Sequence, residues 1–215
     1  MQSSQPRRIA ILSLAYAATL VLQVGSRLLS DRDQDTVETI YAAISSHFVW
    51  HAVYSLSVMA AAMLLVAIVA NWRRWLETQP ALLGRVAFWI VLAAGTCWLV
   101  GGLTTMLQTL AAPAIMAGNL APLSPAGLEE VRAVFGKLGM SLAGAAILLV
   151  GTGIRLAGPA GIVMVLTAAV SGVAALGIWW EALPFHRLLG TLYLGWFVAG
   201  GLILLRYGRS APNPA

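Results

Sequence analysis

The histidines of this chain are the residues whose type and spacing could bind a metal. His47 and His51 are four residues apart, and on a helix this spacing places two imidazoles on one face, about 6 Å apart along the axis. Glu181 and His186 are joined by the short segment Ala-Leu-Pro-Phe, so they lie close together in any fold. These four residues predict a site for zinc or another divalent metal, or for a haem with His51 and His186 as opposed axial ligands.

The same residues have a plainer interpretation. Histidine is amphipathic, and the ends of apolar segments are where polar side chains reach water. The spacing of His47 and His51 also lacks the glutamate that makes the zinc metalloprotease motif specific. The sequence therefore leaves two hypotheses open, a metal or haem site and a set of interfacial residues that bind nothing, and it favours the second.

A second set of polar residues lies inside apolar segments, each near one end of its segment. Isolated polar groups are costly in hydrocarbon, so their positions are informative. We interpret this set as a polar pocket, and its members are Gln23, Arg27, Tyr54, Gln108 and Lys137. Arg27 and Lys137 have an alternative interpretation as snorkelling side chains whose charged ends reach the lipid headgroups.

Membrane-spanning helices are the elements that must position these residues. The chain has 215 residues, is 60% hydrophobic and only 10% charged, and a water-soluble domain of this size could not bury so much apolar surface. Its apolar runs of about 18 to 25 residues suit helices, because barrel strands are about 10 residues long and alternate in polarity. We predict an all-α membrane protein with a single domain, 1–215, and a bundle of six spans. The predicted spans are 9–29, 48–70, 86–110, 134–154, 161–180 and 188–205, followed by a disordered tail at 206–215.

The basic residues predict the orientation of the spans, because cytoplasmic ends carry an excess of Lys and Arg. Six spans place both termini on one side. That side carries Arg7, Arg8, Arg73, Arg74, Arg85, Arg155, Arg206 and Arg209, whereas the other carries Arg27, Arg32, Arg132, Lys137 and Arg187. The excess of eight over five predicts that both termini are cytoplasmic in a cell inner (plasma) membrane and that the predicted pocket faces outward.

Two short amphipathic helices are predicted on the outer side. Asp35 is a predicted N-cap with Glu38 three residues later, followed by apolar residues at helical spacing. Ser124 and Pro125 form a second start signal, ahead of a helix that we expect to continue into the fourth span.

The sequence excludes several classes of function. Basic residues lie at span ends instead of in one patch, so nucleic acid is not a predicted partner despite the net charge of +5. Neither a phosphate-binding loop nor a hydrolase nucleophile elbow is present. We expect a non-catalytic accessory or small-molecule-binding bundle whose partners are the lipid bilayer and a second copy or another membrane protein. The alternatives are a metal- or haem-dependent enzyme that uses the outer histidines, and a small transporter component.

Overall fold

The computed structural model describes six stretches of the chain. They are residues 4–30, 36–76, 81–119, 124–152, 158–179 and 186–210, with side chains throughout except at 4, 73–76, 81–83, 152, 186–191 and 207–210. Within these ranges the chain is almost entirely helical and has no strand, which confirms the predicted all-α class. The helices are α1 (Ser4–Leu29), α2 (Val37–Ser46), α3 (Phe48–Leu76), α4 (Ala81–Met116), α5 (Pro125–Thr152), α6 (Gly158–Leu176) and α7 (His186–Ser210), with a 3-10 turn at Gly177–Trp179.

Five of these helices are long and apolar enough to cross a membrane by length and composition. The stretches that meet this criterion are Gln5–Leu29, Phe48–Trp72, Gly84–Met116, Pro125–Gly151 and Gly158–Trp179. Helix α7 contributes a shorter apolar stretch, Leu192–Arg206. The architecture is thus a bundle of long apolar helices, as in a multi-pass membrane protein.

The helices extend beyond the predicted spans, because a helix does not stop where the hydrocarbon stops. Once formed, each added residue gains a backbone hydrogen bond, and the chain continues until a strong stop signal. Helix α7 therefore overlaps the predicted tail at 206–215 and ends at Ser210, shortly before Pro212. Residues 211–215 lie outside the described ranges.

Six helices form a closed ring in chain order. Helices α1, α3, α4, α5, α6 and α7 each pack against the preceding and following members of this series, and α7 packs back onto α1. Neighbours run antiparallel, as the α5–α6 pair illustrates: a Cβ atom on Gly144 would lie 2.7 Å from the backbone oxygen of Gly172, and one on Gly151 would lie 2.8 Å from Cβ of Ala168. The ring gives every helix one face towards its interior and one towards the surroundings.

The outward faces of the ring are apolar. On α4, the aliphatic side chains of Leu103, Leu107 and Leu110 recur at helical spacing and are 55%, 49% and 61% exposed. Helix α6 shows the same pattern, with Leu166 59% and Val173 58% exposed. Exposed apolar faces of this extent are unusual in water-soluble monomers and typical of surfaces that contact lipid or protein.

Four aromatic side chains fill the centre of the ring. These residues, which we call the aromatic plug, are Tyr16 of α1, Trp98 of α4, and Tyr193 and Phe197 of α7. The hydroxyls of Tyr16 and Tyr193 share a hydrogen bond of 2.8 Å, and Phe197 packs on Tyr16 with ring centroids 4.3 Å apart. Trp98 lies against Gly139, where an added Cβ atom would come within 2.5 Å of its ring. The plug joins the first and last helices to α4 across the interior.

Helix α2 covers one end of the ring, mainly over α4. Its N-cap is Thr36 and not the predicted Asp35: the Thr36 hydroxyl accepts from the Thr39 N–H, and the Thr39 hydroxyl accepts from the Thr36 N–H, both at 3.3 Å. Threonine therefore fills both positions of the capping box, so Glu38 is not needed for it. The apolar face of α2 packs on Ala112 of α4. We call this end of the ring the outer end.

The second predicted amphipathic helix is the start of α5. That helix begins at Pro125 and runs without interruption to Thr152. Ser124 supports its start, because the Ser124 hydroxyl accepts from the Gly127 N–H at 3.4 Å. The outer side thus has one separate short helix, α2, together with an extension of α5 beyond its predicted span.

Candidate functional site

Buried polar side chains of α3 and α4 lie at one level near the outer end, where Gln108 of α4 also bonds to Glu129 of α5. The register of α3 and α4 follows from Gly102, where a Cβ atom would lie 3.4 Å from the backbone oxygen of Ser55. Because the helices are antiparallel, His51, one turn outward of Ser55, lies level with residues 105–109 of α4. We call the resulting set the outer polar layer. Its members are His51, Ser55, Thr105, Gln108, Thr109, Glu129 and Arg132.

Gln108 connects α4 to α5 through a charged pair. Its amide nitrogen donates to a carboxylate oxygen of Glu129 at 2.9 Å. Arg132 donates to both oxygens of the same carboxylate, with its Nε at 2.9 Å. The Gln108 side chain is fully buried, whereas those of Glu129 and Arg132 are 19% and 22% exposed. The carboxylate of Glu129 thus fixes which way the Gln108 amide faces.

The hydroxyls of the layer are buried and donate to their own helices. Ser55 donates to the carbonyl of His51, Thr105 to Gly101 and Thr109 to Thr105, each at 2.8 Å. A hydroxyl has one hydrogen and two lone pairs. Towards any additional group, these three hydroxyls therefore offer acceptors only.

Pro113 leaves another hydrogen-bond acceptor available at this level, the backbone carbonyl of Thr109. It lies inside α4, four residues after Thr109. Because proline has no N–H, the Thr109 carbonyl receives no helical hydrogen bond from position 113. A backbone carbonyl released in this way can accept a hydrogen bond from another group.

His51 is fully buried within the layer, whereas His47 lies where α2 ends and α3 begins. His47 is the C-cap of α2, with φ −118° and ψ 38°, and α3 begins at the next residue. Its Nδ1 lies 2.9 Å from the Ser46 hydroxyl and 3.3 Å from the Ala43 carbonyl, so the ring is held at the end of α2. The His51 N–H donates to the His47 carbonyl at 3.2 Å, so His47 lies directly at the start of α3, and its pairing with His51 on one metal ion stays a prediction.

The proposed four-residue metal site stays a prediction. Glu181 and the side chain of His186 lie outside the described part of the chain. Among the side chains that are described, no group of three or more His, Cys, Asp or Glu residues could hold a metal ion. Helices α3 and α7 are not consecutive in the ring, and their described ring contact is between Trp72 and Trp196, with centroids 6.4 Å apart. That contact lies far inward of His51.

The other predicted pocket residues are distributed around the outer end. Gln23 donates to the backbone oxygen of Ser57 at 3.1 Å and so ties α1 to α3. Arg27 is exposed at the last turn of α1, in a position where snorkelling is available to it, and Tyr54 is half-buried. Of the predicted pocket, Gln108 alone belongs to the outer polar layer.

Lys137 lies on a different face of α5 from the layer. Its Nζ is 5.5 Å from the ring centroid of Trp179, within the range of a cation–π contact. Trp179 in turn donates from Nε1 to the Ser141 hydroxyl at 2.6 Å. These contacts attach the end of α6 to α5.

Sequence reasoning missed most of the layer. Glu129 and Arg132 lie in the segment that was predicted only as an amphipathic helix, and the structure joins the Glu129 carboxylate to both Gln108 and Arg132. The available signal was in α4, where Thr105 and Thr109 are four residues apart and Gln108 lies beside them in an otherwise apolar helix. Repeated polar residues on one face of such a helix indicate an interior face.

The inner half of the ring is apolar by comparison with the outer polar layer. Below the aromatic plug is a cavity of about 20 Å³, enough for a water-sized group. Its lining is entirely apolar, and includes Leu65, Val91, Ile147, Trp196 and Phe197. It offers a ligand no hydrogen-bonding side chain except the indole nitrogens of its tryptophans.

The outer end thus carries buried hydrogen-bonding groups on two helices and a carboxylate that joins α4 to α5. No protein-family model, no curated protein and no solved structure matches the chain.

Proposed function

We propose that this chain is a six-span protein of the inner membrane that binds a small polar molecule at its outer polar layer. Both termini lie in the cytoplasm, so the layer faces the opposite side. The protein is a non-catalytic accessory or ligand-binding bundle. The observation that carries the proposal is the burial of His51 and Gln108 at one level of an apolar ring, with Gln108 bonded to Glu129.

Burial of polar side chains such as His51 and Gln108 costs free energy of folding, and this cost argues that they serve a function. Polar side chains within membrane spans are rare, usually face the bundle interior, and mark ligand or ion pathways. An apolar side chain at position 108 would pack without needing a partner. The layer instead holds an amide whose orientation is fixed by a carboxylate on another helix.

The ligand class follows from the hydrogen-bonding capacity of the layer. The hydroxyls of Ser55, Thr105 and Thr109 already donate to backbone carbonyls, so they present acceptors. The Thr109 carbonyl adds a backbone acceptor. A small molecule that carries N–H or O–H donors complements this set.

Membrane insertion is supported by the apolar outward faces and by the position of the basic residues. Reporter fusions at Thr78 and at the C-terminus should both report a cytoplasmic location, whereas a fusion at Gln34 should report the outside. A fusion on the wrong side would overturn the six-span topology.

Ligand binding is tested on protein purified in detergent. Small molecules are extracted from the wild type, from Gln108→Leu and Thr105→Val, and from the lipid-facing control Leu107→Met, and they are compared by mass spectrometry. We expect a polar molecule that is enriched in the wild type and the control but lost from both variants in the layer. Failure to find one in the wild type, or equal recovery from all four proteins, contradicts the proposal.

The metal- or haem-dependent enzyme remains the rival proposal, since it uses the same buried His51. Elemental analysis and an absorption spectrum of the purified protein separate the two. A stoichiometric metal or a haem absorption band that disappears in His51→Ala would favour the enzyme. The absence of both would leave binding of an organic molecule as the account of the layer.

A further inference from the structure

Exposed arginines at the inner end of the ring share one pattern. On each of three helices, an exposed arginine lies one turn closer to the inner end than an exposed apolar side chain. The pairs are Arg7 with Ile11 on α1, Arg85 with Trp89 on α4, and Arg206 with Leu202 on α7. Ile11 is 53% exposed, Trp89 65% and Leu202 52%. A surface that is basic at one level and apolar one turn deeper matches the headgroup and acyl chains of an anionic lipid.

Two of these pairs lie at the same level on the neighbouring helices α1 and α7, whose line of contact we call the α1–α7 seam. A Cβ atom on Gly201 would lie 2.9 Å from Cγ of Leu14 and 3.4 Å from the backbone oxygen of Ala10. Nearer the outer end, Tyr193 bonds to Tyr16, so the two helices are antiparallel. Five residues beyond Gly201, Arg206 is therefore level with Arg7 on the neighbouring helix.

The charge at this end is one-sided among the described residues. Within the described ranges, the carboxylates are those of Glu38, Glu129 and Glu130, and all three belong to the outer end. Arg7 and Arg8 consequently have no carboxylate partner in the part of the chain that the structure describes. A phosphate group at the seam would supply negative charge beside the Arg7 guanidinium.

We propose that the inner end of the α1–α7 seam is a binding site for one anionic phospholipid. Its phosphate lies between Arg7 and Arg206, and its acyl chains run outward along Ile11 and Leu202. The exposed aliphatic residues favour a lipid over free phosphate, which would use only the arginines. The site rests on the membrane insertion proposed above, but not on the outer ligand.

Native mass spectrometry of the full-length protein in detergent tests this site. Phosphatidylglycerol and phosphatidylcholine with identical acyl chains are titrated separately, and the Kd of the first bound lipid is measured. We expect the wild type to bind phosphatidylglycerol more tightly. Each arginine near an anionic headgroup contributes about 1 kcal/mol, or about fivefold, so Arg7→Gln combined with Arg206→Gln should weaken phosphatidylglycerol binding by about 25-fold.

Three controls separate this site from general charge effects. Arg27→Gln removes the same charge at the outer end and should leave the Kd unchanged. Arg85→Gln removes one arginine from α4, away from the seam, and should cost less than the double change at the seam. Leu202→Gln should weaken binding of the lipid, whereas inorganic phosphate should not displace the lipid at comparable concentration.

The proposal is overturned by equal affinity for the two lipids, by an equal loss in Arg27→Gln, or by displacement of the lipid with inorganic phosphate. The variants leave the outer polar layer intact. A wild type that shows no preference for phosphatidylglycerol but still yields the extracted polar molecule would therefore reject this site alone. Retention of lipid preference without any extracted molecule would reject the outer ligand alone.

Discussion

The outer and inner halves of the ring are built from the same helices but differ in the polarity of their buried side chains. The outer half buries His51, Gln108 and several hydroxyls and connects α4 to α5 through a carboxylate. The inner half contains aliphatic and aromatic side chains around a small apolar cavity. The difference teaches that the inner half is a packed scaffold, whereas the outer half carries groups whose burial has a cost that packing alone does not explain.

This contrast implies that the halves respond differently to substitution. Added volume should disrupt the inner half, because its helices are in close contact and interiors tolerate overpacking poorly. Loss of a hydrogen-bonding partner should disrupt the outer half, because a buried group left unsatisfied loses its solvation without compensation. The free energy of unfolding in detergent can be measured for both.

The largest effect is expected at the close contact of α5 and α6. Gly144→Val places a side chain where a Cβ atom would already be 2.7 Å from the Gly172 oxygen, and overpacking of this kind costs about 3 kcal/mol. Gly136→Val, on the same helix with open space around it, is the matched control and should be nearly neutral. Equal destabilisation by both would show that the α5–α6 packing is not what limits stability.

Substitution of two glutamines compares the free energy lost with a hydrogen bond of the outer layer to that lost with an ordinary interhelical bond. Gln108→Leu removes a donor from the Glu129 carboxylate and should cost about 2 kcal/mol, since bonds to charged groups are worth more than neutral ones. Gln23→Leu removes a bond to a backbone oxygen and should cost about 1 kcal/mol. Chemical denaturation of both variants checks the order, and a reversed order would contradict the importance given to the layer.

The tyrosine pair tests the boundary between the halves. Tyr193→Phe removes one hydroxyl and leaves the other buried without its partner, at a cost of about 1 kcal/mol. Adding Tyr16→Phe should cost little more, because both hydroxyls are then gone. A double-mutant cycle measures this coupling, and strictly additive losses would mean that the two hydroxyls act independently.

The smallest effect is expected at the inner cavity. Ala146→Val fills part of a space of about 20 Å³ and should raise the free energy of unfolding by about 0.5 kcal/mol. Thr105→Val, a shape-conserving change in the outer layer, should instead lower it. If both changes stabilise the protein, the outer layer behaves like the scaffold and the contrast disappears.

The helices could be predicted from the sequence but their arrangement could not. Long apolar runs predicted five of the helices well, since backbone hydrogen bonds must be satisfied inside each segment. In the inner half of α4 the outward and inward faces are both apolar, as exposed Trp89 and buried Val91 illustrate, so periodicity there does not tell which face turns inward. The closed ring depends on contacts between the first and last helices, which no local pattern encodes.

The candidate site was predictable only where a single residue stood out. Gln108 was recognisable as a polar residue in an apolar helix. Glu129 was not, because its bond to Gln108 joins residues 21 positions apart and depends on the register of α4 and α5. The change from α2 to α3 at His47 could not be read from the sequence either, since it leaves the spacing of the histidines unchanged.

Access to the outer layer from the outside is the central claim, and cysteine labelling tests it most directly. The native Cys97 is replaced by alanine, and single cysteines are introduced as Thr105→Cys in the outer layer and Ala143→Cys beside the inner cavity. A membrane-impermeant thiol reagent is applied to oriented membranes from each side in turn. We predict that Thr105→Cys reacts from the outer side as the layer opens to admit its ligand, and that Ala143→Cys reacts from neither side. Labelling of Thr105→Cys only from the cytoplasmic side, or labelling of both positions at the same rate, would contradict the account.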